Sequence, residues 1–288
     1  MARIRALQRS LDAARASYGH ECLVALGVVP EDSVLCILSE AADAVEAALA
    51  PLGQLASAEP TGEKDGQYRF DIAAEAAALE VLMKAGLSVL SEESGLREDS
   101  RTSLRGDEHL LAVVDPVDGS TNAHRGILWY ATSLCVLDGD GPLAAVVVDL
   151  VHGTRFEAAR HGGARKDGVA ISPSGCTRMG DAIVAVNGYP RRNIGWDQYR
   201  SLGAAALDMC AVAEGVVDAF AVSTGAELGP WDYMGAMLIC VEAGAAVSEA
   251  RGRDLVARGH ADCRAPLAAS TPELLVQLEA ACVEAGGL

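Results

Sequence analysis

Acidic side chains stand at the points where two apolar segments of this sequence end. The segment LSVL leads into Glu92 and Glu93, and the segment HLLAVV leads into Asp115 and Asp118. Carboxylates this close together repel one another, and the repulsion is costly at the partly buried end of a strand unless a cation is present. The ligand atoms are all oxygens, with no His or Cys beside them, so Mg²⁺ or Mn²⁺ is expected rather than zinc.

The segment DPVDGSTN, residues 115–122, has two other interpretations. Asp-Gly pairs are common in turns, so the segment taken alone is equally consistent with an ordinary surface turn. A calcium loop of the EF-hand type needs oxygen-bearing side chains at alternate positions and Glu at its twelfth. Val117 and Gly126 occupy two of those positions, so the segment is not a calcium loop of this type.

The residues after Asp118 favour catalysis on phosphate. Gly119 permits a close backbone approach, and the N–H groups at the first turn of a helix can hold a phosphate oxyanion. Hydrolysis of a phosphate monoester needs a barrier reduction on the order of 20 kcal/mol, which a single acid or base worth ~10²–10⁴-fold does not supply. Two or three metal ions acting together can supply it.

Helices and short strands must position these residues. Apolar periodicity and turn signals predict helices at 31–50, 70–85, 203–214, 231–243 and 272–285. Short apolar runs predict strands at 87–90, 109–114, 131–137, 142–150, 155–160, 181–188 and 216–223, with a hairpin turn at 138–141.

The mixture of elements predicts an α/β protein made of two tightly packed halves. We expect a metal-binding half at 31–165 and a second half at 166–288 that completes the substrate pocket. We expect residues 1–30 to be an N-terminal extension ahead of both halves. The sequence contains no internal repeat and no low-complexity linker.

Composition restricts the partners of the chain. The formal net charge of −17 disfavours nucleic acid and anionic membranes, because binding to either begins with Lys and Arg on phosphates. Eight cysteines without a C-x-x-C pair predict free thiols in a reducing cytoplasm. No run approaches the ~20 apolar residues of a membrane span, and the N-terminus lacks the apolar stretch of a signal peptide.

Three segments together resemble the signature motifs of the inositol monophosphatase family of Mg²⁺-dependent, lithium-sensitive phosphatases. They are SEESG at 91–95, DPVDGSTN at 115–122 and WDYMGAMLICVEAGA at 231–245. The resemblance covers roughly residues 32–285. It implies a layered αβαβα sandwich of the sugar-phosphatase type, α/β (α+β) in class, and a homodimer.

The resemblance also implies two main metal sites. Glu92, Asp115 and the carbonyl of Val117 would hold the first Mg²⁺ ion, while Asp115, Asp118 and Asp232 would hold the second. A third, weaker ion would use Glu92 again, and Mn²⁺ is an alternative to Mg²⁺.

The catalytic residues that the resemblance implies are Asp71, Glu92 and Ser120. Asp71 would pair with the Ser120 hydroxyl to orient and deprotonate the attacking water, and Asp232 would lie near the leaving alcohol. The implied substrate-binding set is Asp118, Gly119, Ser120, Gly203, Ala204, Ala205 and Asp232.

The predicted function is therefore hydrolysis of a small polyol or sugar phosphate by a Mg²⁺-dependent phosphomonoesterase. Inositol-specific members of the family carry a Glu where this chain has Val222, with Glu227 on a longer loop, so phosphatase activity is better supported than inositol specificity. Alternative substrates are histidinol phosphate, fructose 1,6-bisphosphate and adenosine 3′,5′-bisphosphate. A non-catalytic protein that binds a metal or a phosphorylated metabolite is the alternative from another class.

Overall fold

The computed structural model describes residues 31–52, 67–98 and 110–284. The predicted extension at 1–30 lies outside these ranges. So do the first residue of the strand predicted from His109 and the last residue of the helix predicted to 285.

Six α-helices and thirteen strands make up the described fold. The helices are α1 (Glu31–Leu49), α2 (Arg69–Lys84), α3 (Ser120–Arg125), α4 (Ala205–Ala213), α5 (Pro230–Ala243) and α6 (Pro272–Glu284). The strands are β1 (Ser88–Ser91), β2 (Gly95–Arg97), β3 (Leu111–Asp118), β4 (Ala131–Asp138), β5 (Gly141–Asp149), β6 (Arg155–Ala159), β7 (Gly163–Lys166), β8 (Val169–Ala170), β9 (Ile183–Asn187), β10 (Gln198–Arg200), β11 (Ala219–Val222), β12 (Ala246–Glu249) and β13 (Pro266–Ala269).

The strands form two sheets. The first has the order β2-β1-β3-β4-β5-β6-β7-β8, and the second has the order β10-β9-β11-β13-β12. Strands β1 and β3 are parallel, with Ser91 opposite Val114. This register brings the residue after each, Glu92 and Asp115, to the same edge of the sheet.

The helices complete five layers. Helices α1 and α2 cover one face of the first sheet, α4 and α5 lie between the sheets, and α6 covers the far face of the second sheet. This confirms the α/β class and the αβαβα order that the resemblance implies. Because α4 and α5 contact both sheets, the division of the chain into halves at 165/166 stays a prediction.

Helix α5 approaches the first sheet unusually closely. A Cβ atom at Gly235 would lie 3.1 Å from the Ser133 Oγ atom and 3.4 Å from the Leu134 carbonyl oxygen, so the glycine permits the contact. The Ser133 hydroxyl also donates a hydrogen bond to the Trp231 carbonyl (3.2 Å). These contacts fix the beginning of α5 against β4.

The elements predicted from strong apolar periodicity are present with shifted ends. The helix predicted from 203 begins at Ala205, because Gly203 has φ 88° and Ala204 is extended. The strand predicted at 216–223 is shorter, at Ala219–Val222. The predicted hairpin between β4 and β5 is confirmed, with Asp138 opposite Gly141.

Six strands were not predicted from the sequence: β2, β7, β8, β10, β12 and β13. Strands β8 and β10 are exposed along their whole length, and β2 is largely exposed, so none carries the apolar run that identifies a buried strand. Within the described ranges, no helix combines the length and the apolar character needed to cross a membrane.

The outer layer formed by α6 offers a test of the packing. Leu278 is fully buried against the second sheet, whereas Val276 on the same helix is 63% exposed. We expect Leu278→Ala to lower the free energy of unfolding by about 2–5 kcal/mol, because it leaves a cavity. Val276→Ala should change it by less than about 0.5 kcal/mol. Urea unfolding measures both, and equal effects would contradict the layer assignment.

Candidate metal centre and active site

Three carboxylates from three different elements meet at one edge of the first sheet. Glu92, Asp115 and Asp232 each place one oxygen within 4.8 Å of the others. Glu92 follows β1, Asp115 lies in β3, and Asp232 lies in the first turn of α5. The structure therefore assembles residues that are up to 140 positions apart in the sequence, Glu92 and Asp232, into one acidic cluster.

Strand β3 is irregular where its acids stand. Its pairing with β4 shifts register between Asp115 and Asp118, around Pro116, which has no N–H group to donate to a neighbouring strand. The Val117 N–H group donates to Asp115 Oδ1 (3.0 Å). Both aspartates are buried despite their charge. Val117 is also buried, and its carbonyl stays a predicted ligand.

Asp118 makes a different set of contacts from the three clustered acids. Its two carboxylate oxygens accept hydrogen bonds from the Ala205 N–H (3.2 Å) and the Ala206 N–H (2.7 Å) at the start of α4. A carboxylate is favourable there because the first N–H groups of a helix have no intrahelical partner. Asp118 thus joins β3 to the loop that carries the predicted substrate residues Gly203 and Ala204.

Asp232 is held by the turn that begins α5. Its Oδ2 atom accepts a hydrogen bond from the Gly229 N–H (2.7 Å), and Pro230 occupies the start of the helix. A Cβ atom at Gly229 would lie 2.5 Å from the Trp231 ring, so the indole packs directly on this turn. The aspartate is consequently fixed relative to the helix that carries it.

Asp71, which lies on α2, is near the acidic cluster. It is 2% exposed, and its Oδ2 atom accepts a hydrogen bond from the Tyr68 N–H (2.7 Å). Burial raises the pKa of Asp71 to about 8, and the negative charges of Glu93 and Glu92 add to the rise. Glu93 itself accepts a hydrogen bond from the Gln67 side chain. The pairing of Asp71 with Ser120 stays a prediction.

The raised pKa values of the acids indicate that the site favours a compensating positive charge. Burial and the charge of Glu92 raise the pKa of Asp115 well above its usual value, and they raise the pKa of Asp232 to about 7. Burial and the charge of Asp232 raise the pKa of Asp118 well above its usual value. A divalent cation would offset this repulsion, and a set of carboxylate oxygens is the ligand chemistry that Mg²⁺ prefers. The residues therefore fit such an ion.

The segment after Asp118 turns sharply into α3. Gly119 has φ 84°, and a Cβ atom there would lie 3.1 Å from the Ala204 Cβ atom and from the Gly203 carbonyl oxygen. Only glycine combines that dihedral angle with that crowding. Ser120, the first residue of α3, is half-buried. The predicted phosphate-binding and alcohol-binding segments are thus in contact.

Two buried polar residues that we did not predict hold these segments together. Asn122 donates from its side chain to the Trp129 carbonyl (2.8 Å) and the Leu202 carbonyl (2.7 Å). The Trp129 ring N–H in turn donates to Asp208 Oδ1 (2.9 Å). Asp208 is fully buried, and burial raises its pKa to about 7. An acid inside the apolar run AALDMCAVA was the signal available in the sequence.

Glu227, on the longer loop noted in the sequence, forms ion pairs with Arg251 and Arg253. Val222, where inositol-specific relatives are expected to carry a Glu, is 5% exposed. The carboxylate of Glu227 is therefore engaged by two arginines.

Comparison with known proteins identifies the family. The model of the Inositol monophosphatase family matches residues 32–283, so the chain belongs to the inositol monophosphatase family. This confirms the resemblance carried by the three motifs.

Several curated proteins are similar in sequence. The chain is 34% identical over 204 residues to Phosphatase IMPL1, chloroplastic, from Arabidopsis thaliana, covering 63% of this chain and 53% of that protein. It is 32% identical over 189 residues to Fructose-1,6-bisphosphatase/inositol-1-monophosphatase from Archaeoglobus fulgidus, covering 64% and 71%. It is 31% identical over 210 residues to Nus factor SuhB from Escherichia coli, covering 66% and 74%. The chain thus spans about half the length of the Arabidopsis relative.

Solved structures share the fold. The inositol monophosphatase from Anabaena (Nostoc) sp. superposes with a TM-score of 0.70 at 27% identity, covering 88% of this chain and 96% of that one. A Pyrococcus horikoshii protein described as having similarities to inositol-1 monophosphatase superposes with a TM-score of 0.76 at 23% identity, covering 88% and 99%.

The raised pKa values predict how stability depends on pH. Asp71 and Asp232 have pKa values of about 8 and about 7 in the folded chain, above the ordinary 3.8, so the unfolded chain releases these protons first as pH rises. Their contribution to stability is present below about pH 4 and is lost between about pH 4 and pH 8. In EDTA we therefore expect Tm to fall as pH rises through that range. Asp71→Asn should reduce the slope.

Mg²⁺ should counteract this fall of Tm at higher pH. Because the ion binds deprotonated carboxylates, its addition should raise Tm more at about pH 8 than at about pH 6. Differential scanning calorimetry in EDTA and in Mg²⁺ measures both effects. A Mg²⁺-induced rise that is independent of pH would contradict this account of the acids.

The Asn122 contacts predict a second effect. Asn122→Asp removes both side-chain N–H donors and places a carboxylate against two carbonyl oxygens. We expect the free energy of unfolding to fall by about 2 kcal/mol. Asn193→Asp is the matched control, because exposed Asn193 uses only its Oδ1 atom, as acceptor from the Gly195 N–H (2.7 Å). Chemical denaturation compares the two, and equal losses would show that Asn122 does not join the segments.

Proposed function

We propose that this chain is a Mg²⁺-dependent phosphomonoesterase that hydrolyses a small polyol or sugar phosphate. The observation that carries the proposal is the convergence of Glu92, Asp115 and Asp232 within 4.8 Å. Membership of the inositol monophosphatase family and the names of the phosphatase relatives support the same class of reaction.

The proposed metal ligands follow the family pattern. Glu92, Asp115 and the Val117 carbonyl would hold one Mg²⁺, and Asp115, Asp118 and Asp232 would hold a second. Once bound, Mg²⁺ supplies Lewis-acid polarisation of the phosphoryl oxygens and neutralises charge that develops during the reaction. The buried carboxylates, which repel one another in its absence, support this arrangement.

The chain's own residues would orient the reactants. Asp71, together with the Ser120 hydroxyl and Glu92, would hold the attacking water in line with the leaving group and accept its proton. Burial raises the pKa of Asp71 above its usual value, which makes its carboxylate a stronger base than an exposed aspartate. The N–H groups of Gly119 and Ser120 would hold the phosphate, and direct attack would proceed without a phosphoenzyme.

The leaving alcohol would lie on the side of α4 and α5. Gly203, Ala204 and Ala205 would line its pocket, and Asp232 would steer a second water that protonates the departing oxygen. Asp118 supports this placement, because its carboxylate already joins β3 to Ala205.

The substrate is proposed by chemical class. Because Glu227 forms ion pairs with Arg251 and Arg253, we do not expect it to replace the carboxylate that binds ring hydroxyls in inositol-specific relatives. Phosphatase activity is therefore better supported than inositol specificity. The name of the Archaeoglobus relative keeps fructose 1,6-bisphosphate among the candidates, beside histidinol phosphate and adenosine 3′,5′-bisphosphate. A non-catalytic protein that binds a metal or phosphorylated metabolite is the alternative.

We propose that the chain binds a small phosphorylated metabolite. We also propose that it is a homodimer located in the cytoplasm. The net charge of −17 supports the expectation that the chain binds neither nucleic acid nor membranes. Its Escherichia coli relative is named a Nus factor, so the expectation about nucleic acid stays a prediction.

Phosphate release tests the proposed function. We expect Mg²⁺-dependent turnover of at least one compound among inositol phosphates, hexose phosphates, fructose 1,6-bisphosphate, histidinol phosphate and adenosine 3′,5′-bisphosphate. Asp115→Asn should lower kcat/KM by about 100-fold or more, because several kcal/mol of transition-state stabilisation depend on the cation. Asp140→Asn, at an exposed turn, is the matched control. Full activity of Asp115→Asn would refute the proposed metal site.

A further inference from the structure

His260 reaches the acidic cluster from a distant part of the sequence. It lies on the loop 250–265 between β12 and β13, and its Nε2 atom is 3.1 Å from the main-chain carbonyl oxygen of Glu92, 168 residues away. A carbonyl oxygen can only accept, so Nε2 carries the proton and donates. The contact connects the loop directly to a residue of the three-carboxylate cluster.

The His260 ring also contacts the element that carries Asp232. It packs on the Trp231 ring with centroids 4.9 Å apart and planes inclined by 36°. A Cβ atom at Gly95 would lie 3.6 Å from the His260 Cδ2 atom, so the ring also lies beside the hairpin of β1 and β2. The ring is exposed, and it lies against both that hairpin and the beginning of α5.

A buried carboxylate organises the loop that carries His260. Glu249 accepts hydrogen bonds from the N–H groups of Arg251 (2.7 Å), Arg253 (3.1 Å) and Ala265 (3.1 Å), and from the Arg253 side chain. Burial opposes ionisation of Glu249, but these hydrogen bonds prevail and lower its pKa to about 2. Both ends of the loop are thus tied to one charged group.

The same loop is docked on α5. Leu228 and Arg264 exchange two main-chain hydrogen bonds, of 2.8 Å and 2.9 Å, just before the helix begins. The Tyr233 hydroxyl donates to the Leu255 carbonyl (2.6 Å). His260 is therefore presented by a segment whose position relative to Asp232 is fixed.

This arrangement matters because the clustered acids belong to separate elements. Glu92 is attached to the first sheet and Asp232 to α5, and their like charges favour separation when no cation lies between them. A contact that holds both elements in place keeps the ligands at the spacing an ion needs. Residues that orient metal ligands in this way raise affinity without touching the metal.

We propose that His260 is a positioning residue of the metal site, which holds Glu92 in place through the hydrogen bond to its carbonyl oxygen. Trp231 anchors the ring, and the loop fixed by Glu249 presents it. The inference rests on the proposed function, because it concerns the same cluster of acids.

Three substitutions at His260 and one control separate the contacts. His260→Phe keeps a ring against Trp231 and loses the donor, His260→Gln keeps an N–H donor and loses the ring, and His260→Ala removes both without adding bulk. Arg258→Ala is the control on the same loop, because its side chain donates to the Asp138 carbonyl, at the end of β4 remote from the acids.

Isothermal titration with Mg²⁺, without substrate, is the measurement. We expect Kd to rise about tenfold in His260→Phe and His260→Ala, to recover to within about threefold of wild type in His260→Gln, and to stay unchanged in Arg258→Ala. Circular dichroism and Tm in EDTA check that each variant is folded. Wild-type affinity in His260→Phe or His260→Ala would overturn the proposal, as would an equally weakened His260→Gln.

Phosphate release from the same samples separates this inference from the proposed function. A wild-type chain that binds Mg²⁺ but turns over no substrate would contradict the phosphatase, while the comparison of Kd values would still decide the role of His260. A wild-type chain that binds no Mg²⁺ would overturn both.

Discussion

Repulsion among buried carboxylates is the constraint around which this structure is built. Glu92, Asp115 and Asp232 converge at one edge of the first sheet, with Asp115 buried and the other two half-buried, and burial together with the charge of Glu92 raises the pKa values of the two aspartates. Such a cluster is costly for a fold to maintain unless a cation compensates it. The surrounding elements are closely packed, with α5 lying against β4 at Gly235.

Contacts among several elements support this site. The parallel register of β1 and β3 brings Glu92 beside Asp115. Asp118 in turn connects β3 to α4, because its carboxylate accepts hydrogen bonds from two main-chain N–H groups of that helix. Asn122 joins the phosphate segment to the substrate loop. In the proposed mechanism these are the parts that must remain aligned while a phosphate ester is cleaved, so the stability of the fold and the chemistry of the site depend on the same contacts.

The parts of the fold that could be predicted are those with a local signal. Helices α1 and α5 and strands β3 to β5 carry long apolar faces or runs, and the sequence places them to within a few residues. Strands β8 and β10 are short and exposed, and they form because a neighbouring strand is available to pair with. Their own residues carry no comparable preference, so no local pattern identifies them.

The chemistry proposed for the site was predicted from the sequence itself. Carboxylates at the ends of apolar strands, followed by Gly119 and Ser120, predict a site for hard divalent cations and phosphate. Tertiary structure alone decided which acids meet, that Asp118 caps α4, and that His260 reaches Glu92 across 168 residues. Local sequence encodes the preferences of neighbouring residues, whereas contacts between distant segments arise only when whole layers pack together.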